Sequence, residues 1–225
     1  RQFCAGMPET PLIGFAGAPF TLAAYLVEGG GSKSYAETKR FLYQQPKVAR
    51  KLLSKLAETV AAHLIAQVEA GCRAVQIFDS WAGYLSRDDY LDFALPYTIE
   101  IVDAVKKATG APVIVFAKGV HSALPELAAC GADVLGVDWT TPLDAAAALA
   151  GRPVVLQGNL DPCVLFASPE RIEREVQRIL NEAQGLRGHI FNLGHGILPG
   201  TPVEHMAALV EAVKRNGVRR VPAGL

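Results

Sequence analysis

Short apolar runs alternate with helical segments along almost the whole chain, and that alternation limits the fold more than any other feature. The runs are Leu12–Ala16, Ala74–Phe78, Val113–Ala117, Val134–Val137, Val154–Leu156 and His189–Leu193. Brief runs of this kind, bounded by glycine and polar residues, read as strands buried on both faces. With helices between them and no hairpin signal, they predict an α/β fold: a parallel sheet with helices outside it. Two architectures are compatible with that pattern. A doubly wound sheet lacks its signature, because no Gly-x-Gly-x-x-Gly follows the first run. Gly29-Gly30-Gly31-Ser32-Lys33 also has the wrong order for a phosphate loop. A (β/α)8 barrel needs eight units, and this chain supplies about six.

Helix boundaries are marked by caps and prolines. Pro19 suits a first helical turn, where its missing N–H has no partner to lose, and Gly29–Gly31 break that helix. Ser34-Tyr35-Ala36-Glu37 reads as a capping box for a helix to about Gln45. Pro46 opens a longer one, with Val48, Leu52, Leu56, Val60, Leu64 and Val68 along one face and Gly71 at its end. Ser86-Arg87-Asp88-Asp89 caps a helix running through Ile99 and Val102 to Gly110, and a short helix spans roughly Ala123–Cys130. Thr141-Pro142-Leu143-Asp144 caps a helix to Ala150, and Ser168-Pro169 opens another to about Glu182. Thr201-Pro202-Val203-Glu204 caps the last, which fades near Gly217. Residues 1–217 are therefore expected to form one partial barrel unit, with 218–225 as a tail.

Half of the 225 residues are hydrophobic, and 22 Lys and Arg balance 22 Asp and Glu. A neutral chain argues against a dedicated nucleic-acid or anionic-membrane binder. No apolar run is long enough to span a membrane. Cysteines 4, 72, 130 and 163 contain no Cys-x-x-Cys pair, so free, mostly buried thiols in a reducing, cytoplasmic compartment are expected. The chain opens Arg1-Gln2-Phe3-Cys4 without an initiator methionine, as though joined in progress.

A barrel places its active site at the C-terminal ends of its strands. Here those ends carry Gly17, Asp79-Ser80, Lys118, Asp138-Trp139, Gln157-Asn159-Asp161 and Asn192-His195. The set is polar and neutral to mildly cationic. Neither a Gly-x-Ser-x-Gly elbow nor a zinc-ligand spacing occurs, so no metal is expected. His195, between Gly194 and Gly196, reads either as a ring presented to a ligand or as part of a tight turn. Asp79 and Ser80 are adjacent in an extended run, so one of them faces the pocket; helix capping is the competing role for either. Asn159 and Asp161 before Pro162 read as an Asx turn. On the residues alone Tyr25 is a core aromatic, His63 and His189 are structural, His121 is open, and His205 faces solvent.

Several segments resemble the uroporphyrinogen decarboxylase family, in family order and spacing. They are Gly14–Gly31, Phe78-Asp79-Ser80-Trp81-Ala82-Gly83, Phe116-Ala117-Lys118, Gly136-Val137-Asp138-Trp139-Thr140, Leu156–Pro162 and Asn192-Leu193-Gly194-His195-Gly196. The resemblance implies an incomplete (β/α)8 barrel that decarboxylates the four acetate side chains of uroporphyrinogen III, giving coproporphyrinogen III without a cofactor. It makes Tyr25, Ser80 and His195 substrate contacts that hold carboxylates of the tetrapyrrole. The family's arginine motif and its pyrrole-binding aspartate precede the equivalent of Leu12, so no catalytic residue is assigned within this chain, which is expected to be inactive alone. Homodimerisation is likewise implied by the resemblance. Two rival readings are a corrinoid-dependent methyltransferase, which would need zinc ligands, and a non-catalytic tetrapyrrole-binding barrel remnant.

Overall fold

The structure is a computed structural model that describes residues 2–7 and 9–217. The expected tail at 218–225 lies outside the described residues. A short helix α1 (Gln2–Gly6) precedes β1 (Ile13–Gly17), α2 (Pro19–Glu28), α3 (Ala36–Gln44) and α4 (Pro46–Glu69). Then follow β2 (Ala74–Asp79), α5 (Arg87–Phe93), α6 (Leu95–Thr109), β3 (Val113–Ala117), α7 (Leu124–Ala128), β4 (Val134–Gly136) and α8 (Leu143–Ala150). The chain continues through β5 (Val155–Leu160), α9 (Pro169–Glu182), β6 (Gly188–Leu193) and α10 (Val203–Asn216).

The six strands form one parallel sheet in the order β1-β2-β3-β4-β5-β6. Sequential order with helical crossovers is barrel topology, and the expected incomplete barrel is what forms: β1 and β6 are its two open edges. Strand parity separates the faces. Val75, Ile77, Val113, Val115, Leu135 and Leu156 point outward into the helix layer and are almost fully buried. The inner face carries a register row across every strand: Gly17, Phe78, Phe116, Gly136, Gln157 and Ile190. Toward the open edges this inner face is uncovered, and Ile13, Phe15 and Ile190 are exposed.

Several local expectations are corrected. The Ser34 capping box does not form. Tyr35 stands at the N-cap in the left-handed region (φ 52), and Ser32 Oγ accepts from its N–H at 3.0 Å. With the N-cap at Tyr35 rather than Ser34, the third helical amide is Thr38 N–H, and it donates to Glu28 at the end of α2. The fully buried face of α4 is Ala49, Leu53, Ala57, Val60, Ala61 and Leu64: it shares Val60 and Leu64 with the expected stripe, Leu52, Leu56 and Val68 pack partly buried beside it, and Val48 is exposed. Alanines let α4 sit close to its neighbours. The helix expected from Ser86 to Gly110 breaks at Ala94, because Pro96 in the first turn of α6 has no N–H to continue it. Neither Thr141 nor Thr201 caps its helix; Pro142 and Pro202 hold those positions. Strand β5 runs four residues past Leu156, taking Gln157 and Asn159 into the sheet. Only Asp161 makes the expected turn, accepting from Cys163 N–H at 2.9 Å. Cys72 and Cys130 are buried, but Cys163 is exposed.

Candidate active site

A cavity of about 440 Å³ opens at the C-terminal ends of the strands, lined chiefly by Gln76, Phe78, Ser80, Phe116, Gln157 and His195. Its walls follow from parity. Gln76, Phe78 and Ser80 are alternate residues of one extended run, so all three point inward. Asp79 points the other way, into the helix layer, where Thr21 Oγ1 donates to it at 2.7 Å. Of the adjacent pair, Ser80 is therefore the pocket residue. Asp79 is fully buried, and burial pushes its carboxyl up to about 6.

His195 reaches the cavity from the loop after β6. Its ring stands edge-on to Phe116 at 6.1 Å, and Phe116 meets Phe78 at 6.0 Å, so two phenyl rings and an imidazole form a continuous wall. Two glycines make the space. A Cβ on Gly136 would lie 2.9 Å from Phe116 Cβ, and one on Gly194 would lie 2.7 Å from Trp139 N. Burial holds the His195 imidazole below its ordinary value, with Lys118 acting in the same direction and Asp138 against it. The ring is thus neutral at pH 7, with one nitrogen as donor and the other as acceptor.

The floor is a pair of buried amides. Gln157 Nε2 donates to Gln76 Oε1 at 3.3 Å, joining β5 to β2 across the inner face. Beside them Asn192 lines the cavity, its Oδ1 accepting from Leu193 N–H at 2.9 Å. The chemistry offered is therefore aromatic surface with neutral hydrogen-bond donors.

The rim is braced by Asp138. Its oxygens accept from Gly119 N–H, Thr140 N–H and the Thr140 hydroxyl, while both ring nitrogens of His121 engage Thr140 and Thr141. His121, open on sequence, is part of this brace. Asn159 Nδ2 donates to Asp138 O at 3.0 Å and to Thr141 O.

The three residues singled out from sequence are not all in one place. Ser80 and His195 line the same cavity, whereas Tyr25 does not line it. Tyr25 is 43% exposed on α2 and packs edge-on against Trp81, the residue after Ser80, at 5.9 Å. His205, expected in solvent, is half-buried, and its Nδ1 lies 2.7 Å from the Leu165 carbonyl oxygen. Gln76, Phe78 and Phe116 were not singled out. Counting back two and four residues from Ser80 would have found the first two. Among the described residues, no group of three or more His, Cys, Asp or Glu side chains is placed to hold a metal ion. No described helix is long and apolar enough to cross a membrane.

The family profile described as Uroporphyrinogen decarboxylase (URO-D) matches residues 4–216. The chain belongs to the uroporphyrinogen decarboxylase family. A uroporphyrinogen decarboxylase of Myxococcus xanthus is 55% identical over 210 residues, which are 93% of this chain and 60% of that protein. One from Chloroflexus aggregans is 54% identical over 207 residues, covering 91% of this chain and 58% of the relative. The chain thus spans about three fifths of the length of the uroporphyrinogen decarboxylases it matches. Among solved structures, a methyltransferase from Methanosarcina mazei superposes with a TM-score of 0.77. It covers 94% of this chain and 60% of its own, at 23% identity. At that identity the likeness is one of fold, and it agrees with the barrel architecture expected of the uroporphyrinogen decarboxylase family.

Proposed function

We propose that the protein takes part in cofactor-independent decarboxylation of the acetate side chains of uroporphyrinogen III to coproporphyrinogen III, and that this cavity holds one carboxyl-bearing arm of the macrocycle. Family membership over residues 4–216, with Ser80 and His195 on one cavity, carries the reading. The chemistry suits the walls. Loss of CO2 from a pyrrole acetate needs an electron sink, and protonating the pyrrole ring makes one. The bond to CO2 then breaks to leave an exocyclic alkene, a second proton completes the methyl group, and the ring gives up the first proton to become a pyrrole again. Preorganised donors around the carboxylates are a large part of what such a reaction asks of a protein. Ser80, neutral His195 and Gln76 supply donors, while Phe78 and Phe116 offer faces to a pyrrole ring. Tyr25 is the proposed contact for a second arm, above Trp81. In this reading the proton donor and the groups balancing most of the negative charge belong to the part of the relatives outside the match. A homodimer and a cytoplasmic setting rest on the resemblance, with the free cysteines in support of the latter.

The test has two parts. Titration with uroporphyrin, the stable oxidised analogue, should quench porphyrin fluorescence. Ser80→Ala and His195→Ala should each weaken binding about five- to tenfold, as expected for loss of one hydrogen bond to a charged group. Supplying the part of the Myxococcus xanthus relative that this chain lacks should then yield coproporphyrinogen. Equal binding by wild type and both variants would defeat the reading.

A further inference from the structure

We propose that Lys118 is an anion-receiving residue of this site, holding a substrate carboxylate one layer above Phe116 and beside His195. The inference rests on the proposed tetrapyrrole reading and names a contact within it. Lys118 directly follows β3, where its N–H still pairs with the Asp79 carbonyl of β2 at 3.1 Å, so it continues the strand's alternation two residues past Phe116 and stands about 6–7 Å nearer the rim. Phe116 already touches His195, which puts the ammonium in the layer the imidazole occupies. Its position is fixed by an aromatic seat: Nζ lies 5.0 Å from the centre of the Trp139 ring. That ring is packed in turn on Gly194, the neighbour of His195, with Trp139 Cε3 3.1 Å from where a Gly194 Cβ would stand.

The ammonium makes no ion pair among the described residues. The carboxylate of the adjacent rim, Asp138, is committed to Gly119 and Thr140. A half-buried cation seated on an indole, with the nearby acid already committed, is placed to accept an incoming carboxylate. It also depresses protonation of His195, so the two groups divide the work: one fixed charge and one neutral donor.

The experiment compares wild type, Lys118→Met and Lys118→Arg in uroporphyrin I titrations between 50 mM and 500 mM NaCl, with thermal melts as a folding check. Lys118→Met should bind about five- to tenfold more weakly at low salt and show a shallower salt dependence, while Lys118→Arg stays near wild type. In NMR titrations, Lys118→Met should also raise the midpoint of the His195 ring, a shift that a purely structural role would not produce. If wild type binds uroporphyrin but Lys118→Met matches it in affinity and salt slope, the inference is overturned and the tetrapyrrole reading stands. If wild type binds no uroporphyrin, both fall together.

Discussion

Thr21 Oγ1 donates to Asp79 Oδ1 across 2.7 Å, tying the first turn of α2 to the end of β2 directly behind Ser80. The other carboxylate oxygen, Oδ2, is buried with no partner among the described residues, as is the nearby Tyr90 hydroxyl. This is a stiff but costly backing for the cavity wall, because an ionised carboxylate is being kept from water.

That cost should appear in the pH dependence of stability. Burial raises the Asp79 carboxyl from 3.8 to about 6, against the pull of the Thr21 hydrogen bond. The folded chain therefore holds this proton more tightly than the unfolded chain. Its contribution is fully present below pH 4 and falls by about 3 kcal/mol as pH rises through 6. Asp79→Asn removes the titration and keeps an oxygen for Thr21, so its melting temperature should rise relative to wild type between pH 4 and 7. At about 2–4 °C per kcal/mol the effect is measurable by calorimetry. A wild-type-like slope in the variant would show that Asp79 does not ionise on this face.

The glycines around His195 separate into one that is required and one that is not. Gly194→Ala drives a Cβ to within 2.7 Å of Trp139 N, a backbone atom that cannot step aside, whereas Gly196→Ala meets nothing within 4 Å. Gly194→Ala should cost about 1–3 kcal/mol in urea unfolding and weaken uroporphyrin binding as the loop shifts. Gly196→Ala should be near neutral in both. Equal tolerance of the two would mean that the loop is not pressed against Trp139.

How much of this was legible beforehand varies with the physics that sets each feature. The strands and their parallel order were legible because short apolar runs separated by helices have few other solutions. Period-two alternation made Asp79 and Ser80 alternatives, but the choice between them needed the side on which α2 packs, where Thr21 meets Asp79. Caps were read less well: α3 is capped at Tyr35 rather than Ser34, and its Thr38 amide is held by Glu28, ten residues back, a partner of which local spacing carries no trace. Gly194 and Gly196 look alike in sequence, and only the packing of Trp139 distinguishes them. Tyr25 was legible only in part. Its helix was legible, but its place outside the cavity depends on how Trp81 stacks between it and the loop around Tyr35.

Two histidines should oppose Asp79 in acid. Burial lowers His195, with Lys118 adding to it, and burial lowers His189 against its bond to the Gly158 carbonyl. Each binds a proton less readily folded than unfolded. Their contribution is full above the ordinary imidazole value of 6.5 and declines as pH falls below it. In the Asp79→Asn background, where the opposing limb is gone, melting temperature should fall steadily from pH 7 toward 5. Adding His189→Gln should flatten part of that fall. A flat profile in Asp79→Asn alone would mean that these rings reach water.

The open edge at β1 has a guard of its own. Gln67, from α4, accepts the Phe15 N–H on Oε1 at 2.8 Å and donates from Nε2 to the Phe15 carbonyl at 2.9 Å, so one side-chain amide occupies both groups as a neighbouring strand would. Gly14 is needed for this approach, since a Cβ there would lie 2.2 Å from Gln67 Oε1. Unpaired strand edges beside exposed apolar side chains recruit other chains, and Phe15 is 64% exposed. Gln67→Leu should therefore cost less than about 1 kcal/mol of stability, because water can replace the lost bonds at this exposed edge. Yet it should raise concentration-dependent light scattering well above wild type, and Gly14→Ala should do the same by expelling the glutamine. A second substitution, Phe15→Lys, places a charge on the uncovered face and should suppress the scattering of Gln67→Leu. Scattering that stayed at the wild-type level in Gln67→Leu would mean that the amide clamp does not shield this edge.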